Sequence, residues 1–308
     1  MSFLVRFLTF LLFTSCIVNS ELTKKTRCKA RNHQSSSSSS SSGGRSTNND
    51  INKKNAPKVY LLGDSTMATC RYGPNYSTNT SGWGTPFTSY MSIKVENDAI
   101  SGYSSREAYR NKMYDKVLES AQPGDFAIIQ WGRNDVSSPN ESTLHKKPCS
   151  PINNDYETVC KGPSVQEPEV YTFVKYLEMA ANALQQKKVN VIIASLTTKS
   201  TYQTEDGQFH QEINPLVEQA KIAAEKTKAT FVDVHTEMTR RYQNKGAAKV
   251  KHFYLPIVSG QKPDYTHTTP RGALVAAQSF LAALARTNSE LNHYVKQTPS
   301  EIVQPVCH

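Results

Sequence analysis

From Pro57 onward, short apolar runs alternate with stretches of helical periodicity. Apolar runs over 58–62, 92–97, 125–131, 189–196 and 230–234 predict buried strands, because each is rich in Val, Ile, Leu, Phe or Tyr and is bounded by turn residues. Between them, the patterns over 84–90, 104–118, 167–186, 211–227 and 237–244 predict helices, and a last helix is expected over 270–286. Thr269-Pro270 fits the start of that helix, an N-cap followed by proline at the first helical position. Strand–helix alternation of this kind predicts an α/β domain: a parallel sheet, helices on both faces and right-handed crossovers. Active residues in such a fold stand at the carboxyl ends of the strands. The stretch 137–163 fits no element and is expected to be a long connection beside them.

Before Pro57 the pattern changes. Residues 3–18 are apolar except for Arg6, Thr9, Thr14, Ser15 and Cys16, and Val18-Asn19-Ser20 follows, as at a signal-peptide cleavage site. The expected organisation is a signal peptide over 1–20, a serine-rich linker over 21–56 and one α/β domain over 57–308. A retained N-terminal anchor is the alternative; no later segment is long and apolar enough to span a bilayer. The expected product is secreted, extracellular or wall-associated, and monomeric.

Secretion makes the cysteines disulfide candidates. Cys149 and Cys160 bracket a Pro- and Asn-rich loop and form the obvious local pair, while Cys28, Cys70 and Cys307 leave an odd thiol. No CxxC or HExxH pattern occurs, so neither a metal site nor a cofactor is expected. Asn75, Asn79 and Asn140 open glycosylation sequons. The formal net charge is +10. The basic residues are scattered, which argues against nucleic acid; a diffuse positive field favours an acidic polysaccharide, or is only a solubility charge.

Candidate chemistry starts at Gly63-Asp64-Ser65-Thr66, directly after the first strand. A serine at a sharp strand exit is a nucleophile candidate, with a turn residue or N-cap as the plainer reading. Asp64 is expected to brace that turn. A serine hydrolase also needs a base, a group that orients the base, and oxyanion donors. Asp264-Tyr265-Thr266-His267 offers His267 as base and Asp264 as its orienter. Gly102 ends the second strand's loop, and Asn134 follows Gly132-Arg133 after the third strand. With the Ser65 N–H, these give three candidate donors. Trp83 is read either as a sugar-stacking ring or as core, and Asp233-Val234-His235 as a structural strand end.

These blocks, in this order, resemble the SGNH (GDSL-like) hydrolase family, and the resemblance covers the chain from Pro57 to about Arg286. It implies a flavodoxin-like three-layer α/β/α sandwich with a five-stranded parallel sheet. It also implies a Ser65–His267–Asp264 triad and an oxyanion hole of Ser65, Gly102 and Asn134. Within the family the chain is most similar to rhamnogalacturonan acetylesterases, on Gly82-Trp83-Gly84, the Asn97-x-Ala99-x-x-Gly102-x-Ser104 block, Val159-Cys160, and Asp264-Tyr265-Thr266-His267-Thr268 leading into Pro270-x-Gly272-Ala273. That likeness implies deacetylation of pectic rhamnogalacturonan. Those enzymes carry a histidine where this chain has Arg133, so Arg133 is read either as structural or as a contact to an acidic sugar. The rival functions are an acetylesterase on xylan, another glycan or a short-chain lipid ester, and an inactive wall-associated carbohydrate-binding protein.

Overall fold

The structure, a computed structural model, describes residues 56–69, 80–136, 145–200, 209, 212–254 and 264–296. The signal and linker segments, the three sequons Asn75, Asn79 and Asn140, and Cys28, Cys70 and Cys307 lie outside the described residues.

Two strands, β1 (Val59–Gly63) and β3 (Phe126–Gln130), are buried at every position. Strands covered on both faces read as unbroken apolar runs, as these two do. They pair in parallel at the middle of a five-stranded sheet. β2 (Val95–Asn97) flanks β1, while β6 (Asn190–Ala194) and then β7 (Thr230–Val232) extend the β3 side, every pairing being parallel. The order β2-β1-β3-β6-β7 is that of a flavodoxin-like sheet.

The period-two alternation of each strand builds two separate cores. Val59, Leu61, Phe126, Ile128 and Ile192 point to one face, which is covered by α1 (Gly84–Ser89), α6 (Val234–Lys245) and α8 (Pro270–Leu284). Tyr60, Leu62, Ala127, Ile129 and Ile193 point to the other. That face is covered by α2 (Ser105–Arg110), α3 (Asp115–Ser120), α4 (Phe173–Gln186) and α5 (Pro215–Thr227). The result is the expected three-layer sandwich. No described helix is long and apolar enough to cross a membrane.

Three local departures from the expected pattern have identifiable causes. The helix expected over 104–118 is two helices, because Lys112 takes a left-handed φ of 53° between them. The helix expected from residue 167 starts only at Phe173, where the Thr172 hydroxyl caps the Lys175 N–H. The residues before it form β5 (Glu167–Tyr171), which pairs antiparallel with β4 (Val159–Ser164) as a hairpin inside the supposed long connection. A disulfide joins Cys149 to Cys160 at the base of that hairpin. Finally, α6 starts earlier than expected, because the Asp233 side chain accepts from the Thr236 N–H and ends β7 as an N-cap.

Trp83 belongs to the core and offers no ring face to a sugar. It is fully buried, stacks on Phe280 at 4.9 Å between centroids and meets the edge of Phe87 at 5.6 Å. Its indole N–H donates to Gln130 Oε1 at 2.7 Å, which satisfies the one polar group it carries. Trp83→Ala is therefore expected to lower folding stability by about 3–5 kcal/mol, read as a displaced urea-unfolding midpoint with an unchanged slope. A midpoint shifted only as far as a surface substitution shifts it contradicts this placement.

Candidate active site

Gly63 ends β1 where the chain passes very close to its neighbour: a Cβ there would stand 2.7 Å from the Gln130 carbonyl oxygen. The chain then turns over Asp64. The Asp64 carboxylate accepts from the Thr66 N–H at 2.9 Å and from the Thr66 hydroxyl at 2.8 Å, and its carbonyl accepts from Met67 and Ala68 N–H. Asp64 is fully buried; burial raises its pKa, and the Thr66 bonds oppose the rise. This brace holds Ser65 at the carboxyl end of the sheet.

The Ser65 hydroxyl lies 2.8 Å from His267 Nε2, and His267 Nδ1 lies 2.6 Å from Asp264 Oδ2. With the Nδ1 proton donated to the carboxylate, Nε2 is left as the acceptor for the serine hydroxyl. Asp264 also accepts the backbone N–H groups of Thr266 and His267 through Oδ1, both at 2.9 Å, so one carboxylate shapes the loop and orients the ring. Burial pushes the Asp264 carboxyl up. The His267 hydrogen bond and charge, with the two backbone N–H groups, outweigh burial and hold its pKa at about 2. The loop is pinned to the opposite wall of the cleft. Ser81 N–H donates to the Thr268 carbonyl at 2.9 Å, and the Thr268 hydroxyl donates to the Ser81 carbonyl at 2.8 Å. A shallow cleft lined by Ser65, Thr80, Ser81, Gly82 and His267 results.

The second and third blocks close on the same strand ends. Ile100 N–H donates to the Gly63 carbonyl, and the Asn97 amide donates to the Met67 carbonyl at 3.0 Å. Gly102 has φ +85°, which a residue with a side chain adopts only under strain. Its carbonyl accepts from Lys146 Nζ at 2.7 Å. Asn134 donates one amide hydrogen to the Tyr103 carbonyl at 2.9 Å, and the second has no acceptor among the described residues. Neither the Ser65 nor the Gly102 N–H has an acceptor among the described residues.

Residues 61–273 match the model of the GDSL-like lipase/acylhydrolase family. The chain belongs to that family. It is 30% identical over 243 residues to the rhamnogalacturonan acetylesterase of Emericella nidulans, across 79% of this chain and 91% of that protein. Among solved structures, it is similar to the YXIM protein of Bacillus subtilis, with a TM-score of 0.56 and 22% identity. That match covers 75% of this chain but only 56% of the longer bacterial protein. The Axe2 acetylxylan esterase of Geobacillus stearothermophilus matches at a TM-score of 0.48 and 17% identity, over 79% of this chain and 97% of that one.

Like the blocks of this GDSL-like chain, Arg133 stands at a strand end, but it is not open to a ligand. Its side chain is buried and bonds both oxygens of Glu212, at 3.0 and 2.7 Å, and also donates to the Thr197 carbonyl. This geometry favours the structural reading of Arg133 over the sugar-contact one, because both terminal nitrogens of the buried guanidinium are bonded internally. Glu212 also lies 3.4 Å from buried His235. Burial raises the Glu212 pKa, but His235 and Arg133 outweigh it and hold the carboxyl far below its ordinary range.

Two groups where the segment after β6 meets the Asp264–His267 loop were not singled out from sequence. Ser200 N–H donates to the Tyr265 carbonyl at 3.0 Å, which sets that segment against the loop. On this seam Tyr265 is 40% exposed, and Lys199 is half-buried without an ion pair among the described residues. Burial, then the charge of Arg133, lowers the Lys199 pKa. Neither carries a motif; a lone lysine or tyrosine after a strand becomes visible only once the loops are placed. Ile100 and Val136 are also exposed beside the second and third blocks.

Behind the third block, Asp135 accepts from the Ser105 N–H at 3.0 Å and the Ser105 hydroxyl at 2.5 Å. Burial raises its pKa from 3.8 to about 7, against the Ser105 bonds and with help from the Asp64 charge. A carboxyl raised in the folded state binds a proton that the unfolded chain has already lost. Its contribution is therefore complete below pH 3.8 and is lost as pH rises through about 7. Asp135→Asn keeps an acceptor for both Ser105 bonds and removes the titration. Thermal melting across pH should show the variant losing less stability than the wild type between pH 4 and 8. Parallel profiles would contradict the assignment.

Proposed function

We propose that this chain is a secreted serine carbohydrate esterase that removes O-acetyl groups from a plant cell-wall polysaccharide, with pectic rhamnogalacturonan as the preferred polymer. The observation that carries the reading is the hydrogen-bonded row from Ser65 through His267 to Asp264 at the carboxyl end of the sheet. In the proposed reaction, Ser65 Oγ attacks the acetyl carbonyl carbon while its proton passes to His267 Nε2. Asp264 holds the ring and offsets the imidazolium charge. The tetrahedral oxyanion is stabilised by the Ser65 and Gly102 N–H groups and the spare Asn134 amide hydrogen, each contributing about 3 kcal/mol to lowering the barrier. His267 then gives its proton to the departing sugar oxygen as that C–O bond breaks. Water, activated by the same histidine, attacks the acetyl-serine and releases acetate. This sequence uses only residues of the chain.

The choice of polymer rests on the resemblance to the Emericella nidulans rhamnogalacturonan acetylesterase, and it is supported by Lys199, which has no ion pair among the described residues, and by the formal charge of +10. Tyr265 supplies an exposed ring beside the cleft, the role considered for Trp83. Secretion is supported by the Cys149–Cys160 disulfide, which persists in oxidising compartments. Of the exposed apolar side chains among the described residues, Ile100, Val136 and Tyr265 stand on separate blocks, which suits a polymer surface better than the broad apolar mouth of a lipase.

Ser65→Ala is expected to abolish hydrolysis of an aryl acetate without moving the melting temperature by more than a surface substitution does; near-normal turnover in that variant sinks the mechanism. Acetate release from acetylated rhamnogalacturonan, xylan and galactan, with deacetylated controls, tests the polymer. On the acidic polymer, Lys199→Met is expected to raise KM by about threefold to tenfold relative to its effect on acetylated xylan. An equal effect on both polymers removes the acidic-sugar argument.

A further inference from the structure

A second concavity, of about 490 Å³, lies away from Ser65, between the α2–α3 elbow, the β4–β5 hairpin and the first turn of α4. Its size falls within the range of about 300–1,000 Å³ usual for ligand sites. Three tyrosines build its wall. The rings of Tyr109, Tyr171 and Tyr176 pack against one another with centroids 6.3, 5.6 and 5.7 Å apart. Tyr176 is buried, and its hydroxyl accepts from the Tyr171 N–H at 3.1 Å. Tyr109 is 38% exposed, so this edge-to-face cluster leaves one tyrosine open to solvent.

The polar rim is equally fixed. The Tyr171 hydroxyl donates to Glu169 at 2.6 Å, and this bond raises its pKa to about 12, so the phenol stays protonated. Arg106 grips both oxygens of Glu167, at 2.7 and 2.9 Å, and donates to the Lys147 carbonyl at 2.8 Å. Arg110 stands 3.6 Å from the same carboxylate, and the disulfide ties down the hairpin base. Side chains held in this way lose little further freedom when a ligand arrives.

The charges select the ligand class. Around the groove, Arg106, Arg110 and Lys112 are offset by Asp115, Glu167 and Glu169, so it carries no net field for a polyanion. What remains is one exposed aromatic face ringed by fixed donors and acceptors. A pyranose has the matching shape, with an apolar C–H face and a hydroxyl rim. Position adds a reason. α2 begins at Ser105, bonded to Asp135 behind the third block, and Tyr109 follows four residues, about 6 Å, further along the helix.

We propose that this groove is a second, non-catalytic glycan site, which holds a neutral stretch of a polysaccharide through Tyr109 and the Arg110–Glu169 rim. The proposal rests on the carbohydrate reading above but uses none of its catalytic residues. The test is native electrophoresis of the full chain through gels containing deacetylated β-1,4-galactan, deacetylated linear xylan or polygalacturonate. Wild type and Ser65→Ala are expected to be retarded by at least one neutral polymer. Tyr109→Ala should bind it about tenfold more weakly, while Tyr109→Phe, which keeps the ring, stays close to wild type. Thermal melting of the same variants verifies that they are folded. The proposal is overturned if no neutral polymer retards the wild type, if only polygalacturonate does, or if Tyr109→Ala is retarded like the wild type. The two readings fail separately. Tyr109-dependent retardation without acetate release from any glycan would remove the esterase assignment and leave the groove standing; acetate release without such retardation does the reverse.

Discussion

The carboxyl end of this sheet is held together by the side-chain amide of Gln130. The residue is buried at the end of the central strand, where no water can satisfy it. Its oxygen accepts the Trp83 indole N–H at 2.7 Å and stands 3.4 Å from the Thr66 hydroxyl; its nitrogen donates to the Ser195 carbonyl at 2.7 Å. One amide therefore joins the serine turn, the first helix and the fourth strand of the sheet. Such a group is costly when left unpaired and specifying when complete. Ser195 continues the network, since its hydroxyl donates to Asp233 and accepts from the His235 N–H. Distances at the cleft are thereby set by polar contacts that lie wholly beneath it.

Much of the architecture was legible because it follows from short-range rules. Central strands covered on both faces must be apolar throughout, so 58–62 and 125–131 announced themselves. Thr269-Pro270 and the glycine at a φ of +85° are local requirements that leave a mark in the chain. The β4–β5 hairpin was missed for a physical reason. Its strands are largely exposed and carry Lys, Glu and Pro, so neither shows the alternation of a half-buried strand. Glu167 to Tyr171 then merged with the helical period of the residues after Thr172, although the Thr172 cap and Pro168 were there to separate them.

At the site, residues defined by a motif were legible, and those defined by tertiary packing were not. Ser65, Gly102, Asn134, Asp264 and His267 sit in recognisable blocks, and hydrogen bonds join the loops of Ser65, His267 and Asp264. Arg133 and Trp83 sit in the same blocks yet face inward, because Glu212 and Phe280, distant in sequence, complete them. Lys199 shows the opposite case: it lies in no block, and the contact between Ser200 and Tyr265 sets its neighbour against the Asp264–His267 loop. Proximity to a motif is thus poor evidence for exposure.

Ser65 and His267 are 202 residues apart, and the helix that follows His267 also brings Phe280 onto Trp83. Completion of the Ser65–His267 contact and closure of the aromatic core consequently share one late step on the way out of the ribosome. A nascent chain that has not yet released α8 has a bare aromatic face and a Ser65 turn with no ring beside it. The same coupling means that partial unfolding starting from the C-terminal end parts Ser65 from His267 before the sheet itself is disturbed.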